Sequence, residues 1–213
     1  MGENAAAIAR AGVGPNNRES TIVKTLIAIS RAIDTVNEWV GRLLLWLVLV
    51  VVLVSASNAT SRYLLNLASN AWLELQWYLF AAIFLGCAGY TLLHNEHIRI
   101  DVISSRLSRR TQIWIDILGT VFFLLPVSLY IMWLSWPIFM SAWTSGEVSN
   151  QAGGLIRWPA RFMVPAGFFL LSLQGVSELI KRVAILRGLI PDQMEHHADA
   201  ALEIIQPDDG EPR

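Results

Sequence analysis

Three carboxylates stand in or beside long apolar stretches of this chain: Glu74, Asp116 and Glu178. An ionisable group in hydrocarbon is costly, which makes each a candidate for proton or ion handling. Their spacing also suits simpler roles. Glu74 falls in the first turn of one apolar helix and Asp116 in the first turn or two of another, where the helix dipole favours negative charge. A polar contact with a partner chain is the competing role for Glu74. Glu178 precedes Lys181 and Arg182 by three and four residues, a spacing that pairs charges along one helix face. None of the three lies near the middle of its apolar run, so no proton relay or ion site built by this chain alone is expected.

A second cluster holds His94, Asn95, Glu96, His97, Arg99 and Asp101. A metal or haem site needs histidines converging from opposing elements. Two histidines three residues apart at the end of one apolar run do not supply that, and a charged, hydrogen-bonded loop is the expectation. His196 and His197 make a weaker pair still. Gln174 is an uncharged polar group within an apolar run and should seek an interhelical hydrogen bond. Gly86 and Gly89 are small residues that let helices approach closely. The segment from Gly153 and Gly154 to Trp158 and Pro159 reads as a tight turn, an interfacial Trp and a helix start. No Lys-Ser or Lys-Thr follows its glycines, so it is no phosphate loop. The single cysteine, Cys87, permits no disulfide within the chain and reads as a small packed residue. Neither a hydrolase nor an ATPase finds residues here, and no catalytic residue, cofactor or metal ligand is expected.

The elements that must position these groups are membrane helices. Of 213 residues, 54% are hydrophobic and 15% charged, and nine are Trp, a balance suited to lipid as solvent. Charge is absent for 19 residues from Leu43, 19 from Leu75, 30 from Ile117 and 16 from Phe162. About 20 helical residues cross a hydrocarbon core of about 30 Å. The expected fold is therefore all-α and integral to the membrane, with spans near 42–62, 72–93, 112–136 and 160–181 inside a domain of residues 41–188. The third run is too long for one crossing and too short for two. Pro126 and Pro137 lie within it, and a kinked span followed by a re-entrant or interfacial stretch around residues 135–144 is expected.

Ahead of the first span, Ile22, Leu26, Ile29, Ile33, Val36 and Val40 recur at helical spacing, with Lys24, Arg31 and Asp34 off that stripe. Residues 19–40 are expected as an amphipathic helix that lies in the membrane interface or packs on a partner, with a plain N-terminal extension of the first span as the alternative, after a disordered stretch at 1–18. No signal peptide is read, because the first long apolar run begins near Leu43 and looks like a retained anchor. Thirteen of the 16 Lys and Arg residues fall in the N-terminal flank, the loop between spans two and three, or the C-terminal flank. That bias predicts both termini on the cytoplasmic side. Residues 189–213 form an acidic tail, and the net charge of −1 predicts no nucleic-acid partner.

Read in order, the pattern resembles the small, four-helix membrane subunit of tripartite ATP-independent periplasmic (TRAP) transporters, from about Asn37 to Gly188. Three groups of residues carry the likeness. The first is Trp72-Leu73-Glu74-Leu75-Gln76-Trp77-Tyr78. The second runs from His94 through His97, Arg99 and Asp101 to Val102. The third is Gly153-Gly154-Leu155 through Trp158-Pro159 to Pro165 and Gln174. The resemblance implies a large multi-span partner subunit that carries the sodium and substrate sites, while the small subunit extends a static scaffold. It also implies a periplasmic solute-binding protein and sodium-driven uptake of an organic acid across a bacterial inner membrane. Glu74, Gln76, His97, Arg99, Asp101, Trp158 and Gln174 are then candidate partner-interface or structural polar positions. A membrane anchor of a respiratory oxidoreductase is the alternative.

Overall fold

The computed structural model describes residues 17–66, 69–94 and 107–190, and every element among them is a helix apart from one isolated β-bridge. We number four: α1 (Asn17–Leu64), α2 (Asn70–Leu93), α3 (Arg109–Ser145) and α4 (Trp158–Leu186). All four are long and apolar enough to cross a membrane. Of the disordered start expected at 1–18 and the acidic tail expected at 189–213, residues 1–16 and 191–213 lie outside the described residues, while Asn17 and Arg18 open α1.

Contacts fix the directions. Ser30 of α1 meets Ser177 of α4, while Asn37 meets Gln174, so these helices run antiparallel. Gly41 of α1 lies against Tyr90 of α2 and Ser55 against Gln76, so α2 also opposes α1. Ser128 of α3 bonds Ser172 of α4, and Phe139 stacks near Phe162, so α3 opposes α4. The result is an up-down bundle with α4 at its centre, touching the other three helices.

Two sequence expectations need correction. The division at residue 40 does not interrupt the chain: residues 19–40 and the first span form one helix of 48 residues, about 72 Å at 1.5 Å per residue. No Pro or Gly pair breaks it there, and at Gly41 the Tyr90 ring occupies the space where a Cβ would stand. Within the chain this helix leaves much of its apolar stripe uncovered and buries a polar face. Leu26, Ile29 and Val36 are exposed, while Ser30 and Asn37 are buried against the bundle. Polar partners on α4 hold that buried face, as described below.

The re-entrant form expected for residues 135–144 is also not found. Residues 135–145 continue α3, which runs 37 residues. Pro126 is accommodated by a π turn at Thr120–Leu124 immediately before it, which relieves the clash between the proline ring and the preceding carbonyls. Pro137 costs one backbone bond without ending the helix. Gly146, in the left-handed region at φ 61°, ends it instead.

Without a hydrophobic drive between helices in lipid, close packing and interhelical hydrogen bonds must hold such a bundle together. Glycines supply the close approach. A Cβ at Gly167 of α4 would lie 2.7 Å from the Leu85 carbonyl oxygen of α2, and one at Gly86 would lie 2.6 Å from Leu44 of α1.

Candidate functional site

Two polar assemblies organise the bundle, one toward each end. The first joins α1 to α4. On α1, Ser30, Asp34 and Asn37 recur at steps of four and three, which places them on one face. On α4, Gln174, Ser177 and Lys181 do the same at steps of three and four. Because the helices are antiparallel, the two sets meet in register. Ser30 and Ser177 hydroxyls lie 2.7 Å apart, and Ser177 Oγ donates to Asp34 Oδ1 at 2.7 Å. Gln174 Nε2 donates to the same oxygen at 2.9 Å, while its Oε1 accepts from Asn37 Nδ2 at 2.9 Å. Gln174 is fully buried and Asn37 is 1% exposed, so these bonds replace water that cannot enter.

Charge continues the assembly sideways. Lys181 Nζ sits 3.2 Å from Asp34 Oδ2 and 2.5 Å from Glu178 Oε1. Arg182, itself buried, lies 3.2 Å from Asp116 of α3 and 3.9 Å from Glu178. Carboxylates and cations thus alternate from α1 through α4 to α3. The expected pairing of Glu178 with Lys181 and Arg182 is present, and Asp116 is bound to α4. Asn37 Oδ1 is buried without a conventional partner among the described residues. It abuts Gly89 of α2 where a Cβ would project, so it faces a glycine Cα–H, a weak acceptor contact.

The second assembly closes the opposite end. Residues 146–157 link α3 to α4 as a hairpin with an antiparallel bridge between Val148 and Ile156. Gly153, at φ 73°, makes the turn that its sequence suggested. Glu74, in the first turns of α2, holds this hairpin: one carboxylate oxygen accepts from the Ser149 hydroxyl and the other from the Leu155 N–H at 2.7 Å. Asn70 Nδ2 adds a bond to the Ala152 carbonyl at 3.2 Å. Glu147 bridges Arg157 at 2.9 Å and Arg161 at 2.6 Å. Trp158 stands edge-on to Trp143, with centroids 4.6 Å apart, joining the two helices the hairpin connects.

The candidates therefore separate. Glu74 and Trp158 belong to the hairpin assembly, Gln174 to the α1–α4 assembly, and Gln76 donates to the Ser55 hydroxyl between α2 and α1. His97, Arg99 and Asp101 lie outside the described residues. His94 lies 3.4 Å from Glu38, which also binds Arg42 at 2.8 Å. Among the described residues no group of three or more His, Cys, Asp or Glu could hold a metal ion. Sequence reasoning singled out neither Ser30 nor Asn37, and it noted Asp34 only as lying off the apolar stripe. The matched polar spacings of 30, 34, 37 and 174, 177, 181 were the available sign.

These assemblies clamp helices together, and the fold and its latches define a multi-pass helical membrane protein. The chain matches the family model described as "Tripartite ATP-independent periplasmic transporters, DctQ component" over residues 51–185. That is more than half of its length, and the chain belongs to this family, the small component of TRAP transporters. It is a family of transporter components, not of enzymes. No curated protein and no solved structure matches the chain. The matched region includes the hairpin and the α4 half of the polar assembly, while Ser30, Asp34 and Asn37 precede it.

Proposed function

We propose that this chain is the scaffold subunit of a sodium-driven TRAP transporter in a bacterial inner membrane. In this reading it supports a large multi-span subunit that moves an organic acid, which a periplasmic solute-binding protein delivers. One observation carries the reading: the polar side chains that bridge its helices bond chiefly to one another, while long apolar faces of α1 and α3 are exposed. Trp39, Trp46 and Leu53 on α1, and Phe122, Phe123 and Trp133 on α3, are all more than half exposed. Latched helices with large apolar surfaces suit a static support that lies against lipid and a second membrane protein.

The charge bias of the loops supports placing the chain termini inside and the 146–157 hairpin outside. That hairpin, stiffened by Glu74 and Glu147, would then be the surface a periplasmic protein can reach. The alternative of a respiratory anchor finds no support in the family.

The decisive experiment is co-expression with a neighbouring large-subunit gene, purification through a tag on this chain, and uptake by proteoliposomes given the loaded binding protein. A one-to-one complex whose uptake needs an inward sodium gradient is expected. A lone chain that transports by itself, or uptake indifferent to sodium, would refute the reading.

A further inference from the structure

Beyond the polar assembly, toward the start of α1 and the end of α4, the two helices leave a groove of about 230 Å³ between them. Its walls are aliphatic, with Leu26 and Ile27 on one side and Ile180 and Val183 on the other. Gly188, at φ 67°, ends α4, and Leu189 N–H then bonds the Ala184 carbonyl at 3.0 Å. This fold-back brings Leu189 into the lining. Arg187 is the one charged group in that lining. It is exposed and has no carboxylate partner among the described residues, in contrast to the buried and paired Arg182. Lys24 and Arg31, on the same stretch of α1, are likewise exposed and unpaired among those residues.

We propose that this groove holds one acyl chain of an anionic membrane phospholipid, with its phosphate on Arg187. The slot's aliphatic lining suits an alkyl chain, and it adjoins Leu26 and Ile29, exposed positions of the apolar stripe. A guanidinium offers a planar set of donors that matches phosphate oxygens. Arg187 also caps the end of α4, a helix long and apolar enough to cross a membrane. Basic sites between spanning helices select anionic headgroups by this combination of a dry slot and an unpaired cation. The inference goes beyond the scaffold reading and does not depend on which solute is carried.

The test is native mass spectrometry of the full-length chain, alone and with its large subunit. The protein is stripped in detergent and then offered dioleoylphosphatidylglycerol or dioleoylphosphatidylcholine. One retained phosphatidylglycerol, preferred at least threefold, is expected in both preparations. Arg187→Gln should abolish the preference while leaving adducts of either lipid. Val183→Trp and Leu26→Trp, which fill the slot from opposite walls at exposed positions, should each abolish the adduct without lowering the melting temperature of the lipid-free protein. Equal retention of the two lipids by the native chain would overturn the proposal, as would unchanged adducts in both Trp variants. So would a rise in lipid binding after truncation at Ile190, which would make the C-terminal tail the occupant. Loss of the adduct on adding the large subunit would assign the groove to that protein instead.

Discussion

Asn37 and Gln174, 137 positions apart in the chain, meet in a 2.9 Å hydrogen bond at the buried seam between α1 and α4. The same Gln174 amide also donates to Asp34, so one side chain holds two residues of the opposing helix. Replacement of Gln174 by Leu leaves Asn37 Nδ2 only the Ile33 carbonyl at 3.3 Å and strips a donor from Asp34. Unfolding in mild detergent should show a loss of about 1–3 kcal/mol. A double-mutant cycle with Asn37→Leu should return a coupling of about 0.6–2 kcal/mol, and strict additivity would mean that the bond does not form.

Arg182 is a buried ionic link between α4 and α3, with Asp116 and Glu178 among its partners. Arg182→Met should cost about 3–5 kcal/mol, because it removes the buried cation beside Asp116 and leaves Glu178 with Lys181. The exposed pair of Arg42 with Glu38 is the internal control. Arg42→Met should change stability by less than about 1 kcal/mol. Equal losses in the two variants would show that Arg182 is solvated in the membrane protein.

Gly167 and Gly119 should respond to alanine with opposite signs. At Gly167 the added carbon would lie 2.7 Å from the Leu85 carbonyl oxygen, a backbone atom that cannot swing aside. Pushing α2 from α4 should destabilise the protein by about 1–3 kcal/mol. At Gly119 nothing lies within 4 Å of the added carbon, and the residue is helical. Alanine there should stabilise by about 0.5–1 kcal/mol through the reduced entropy of the unfolded chain. Melting temperatures of the two variants check both signs.

Glu74 should control the order of the 146–157 hairpin and not the existence of α2. In Glu74→Ala the Leu155 amide loses its acceptor, and its hydrogen exchange should quicken about tenfold. The Ser149 amide, bonded to the Leu155 carbonyl at 3.0 Å, should follow. Glu74→Gln keeps one acceptor oxygen and should fall between. Unchanged exchange at Leu155 in the alanine variant would contradict the latch.

How much of this was legible beforehand divides along the residues themselves. The charge-free runs from Leu43, Leu75, Ile117 and Phe162 announced four membrane helices, because a span must be apolar over a length that crossing dictates. Gly153 announced its turn, since few other residues accept a positive φ, and Glu178 announced its partners, since they are local. Residues 19–40 announced a helix, but helical periodicity reveals that a helix has two faces and not what each face meets. Similarly, Pro126 and Pro137 marked weak points in α3 without showing that a π turn would absorb the first and that the helix would continue past the second.

Composition and spacing alone thus determined the solvent, the number of spans and the local turns. Each of these depends on hydration and backbone geometry over a few consecutive residues. Only the tertiary structure decided that Glu74 reaches Ser149 and Leu155, that Asp34 and Asn37 belong with Gln174, and that Arg182 ties α4 to Asp116. Those bonds join residues dozens of positions apart. In a medium without water, a buried polar group must find whichever partner the packing brings near, and nothing in the local sequence names it.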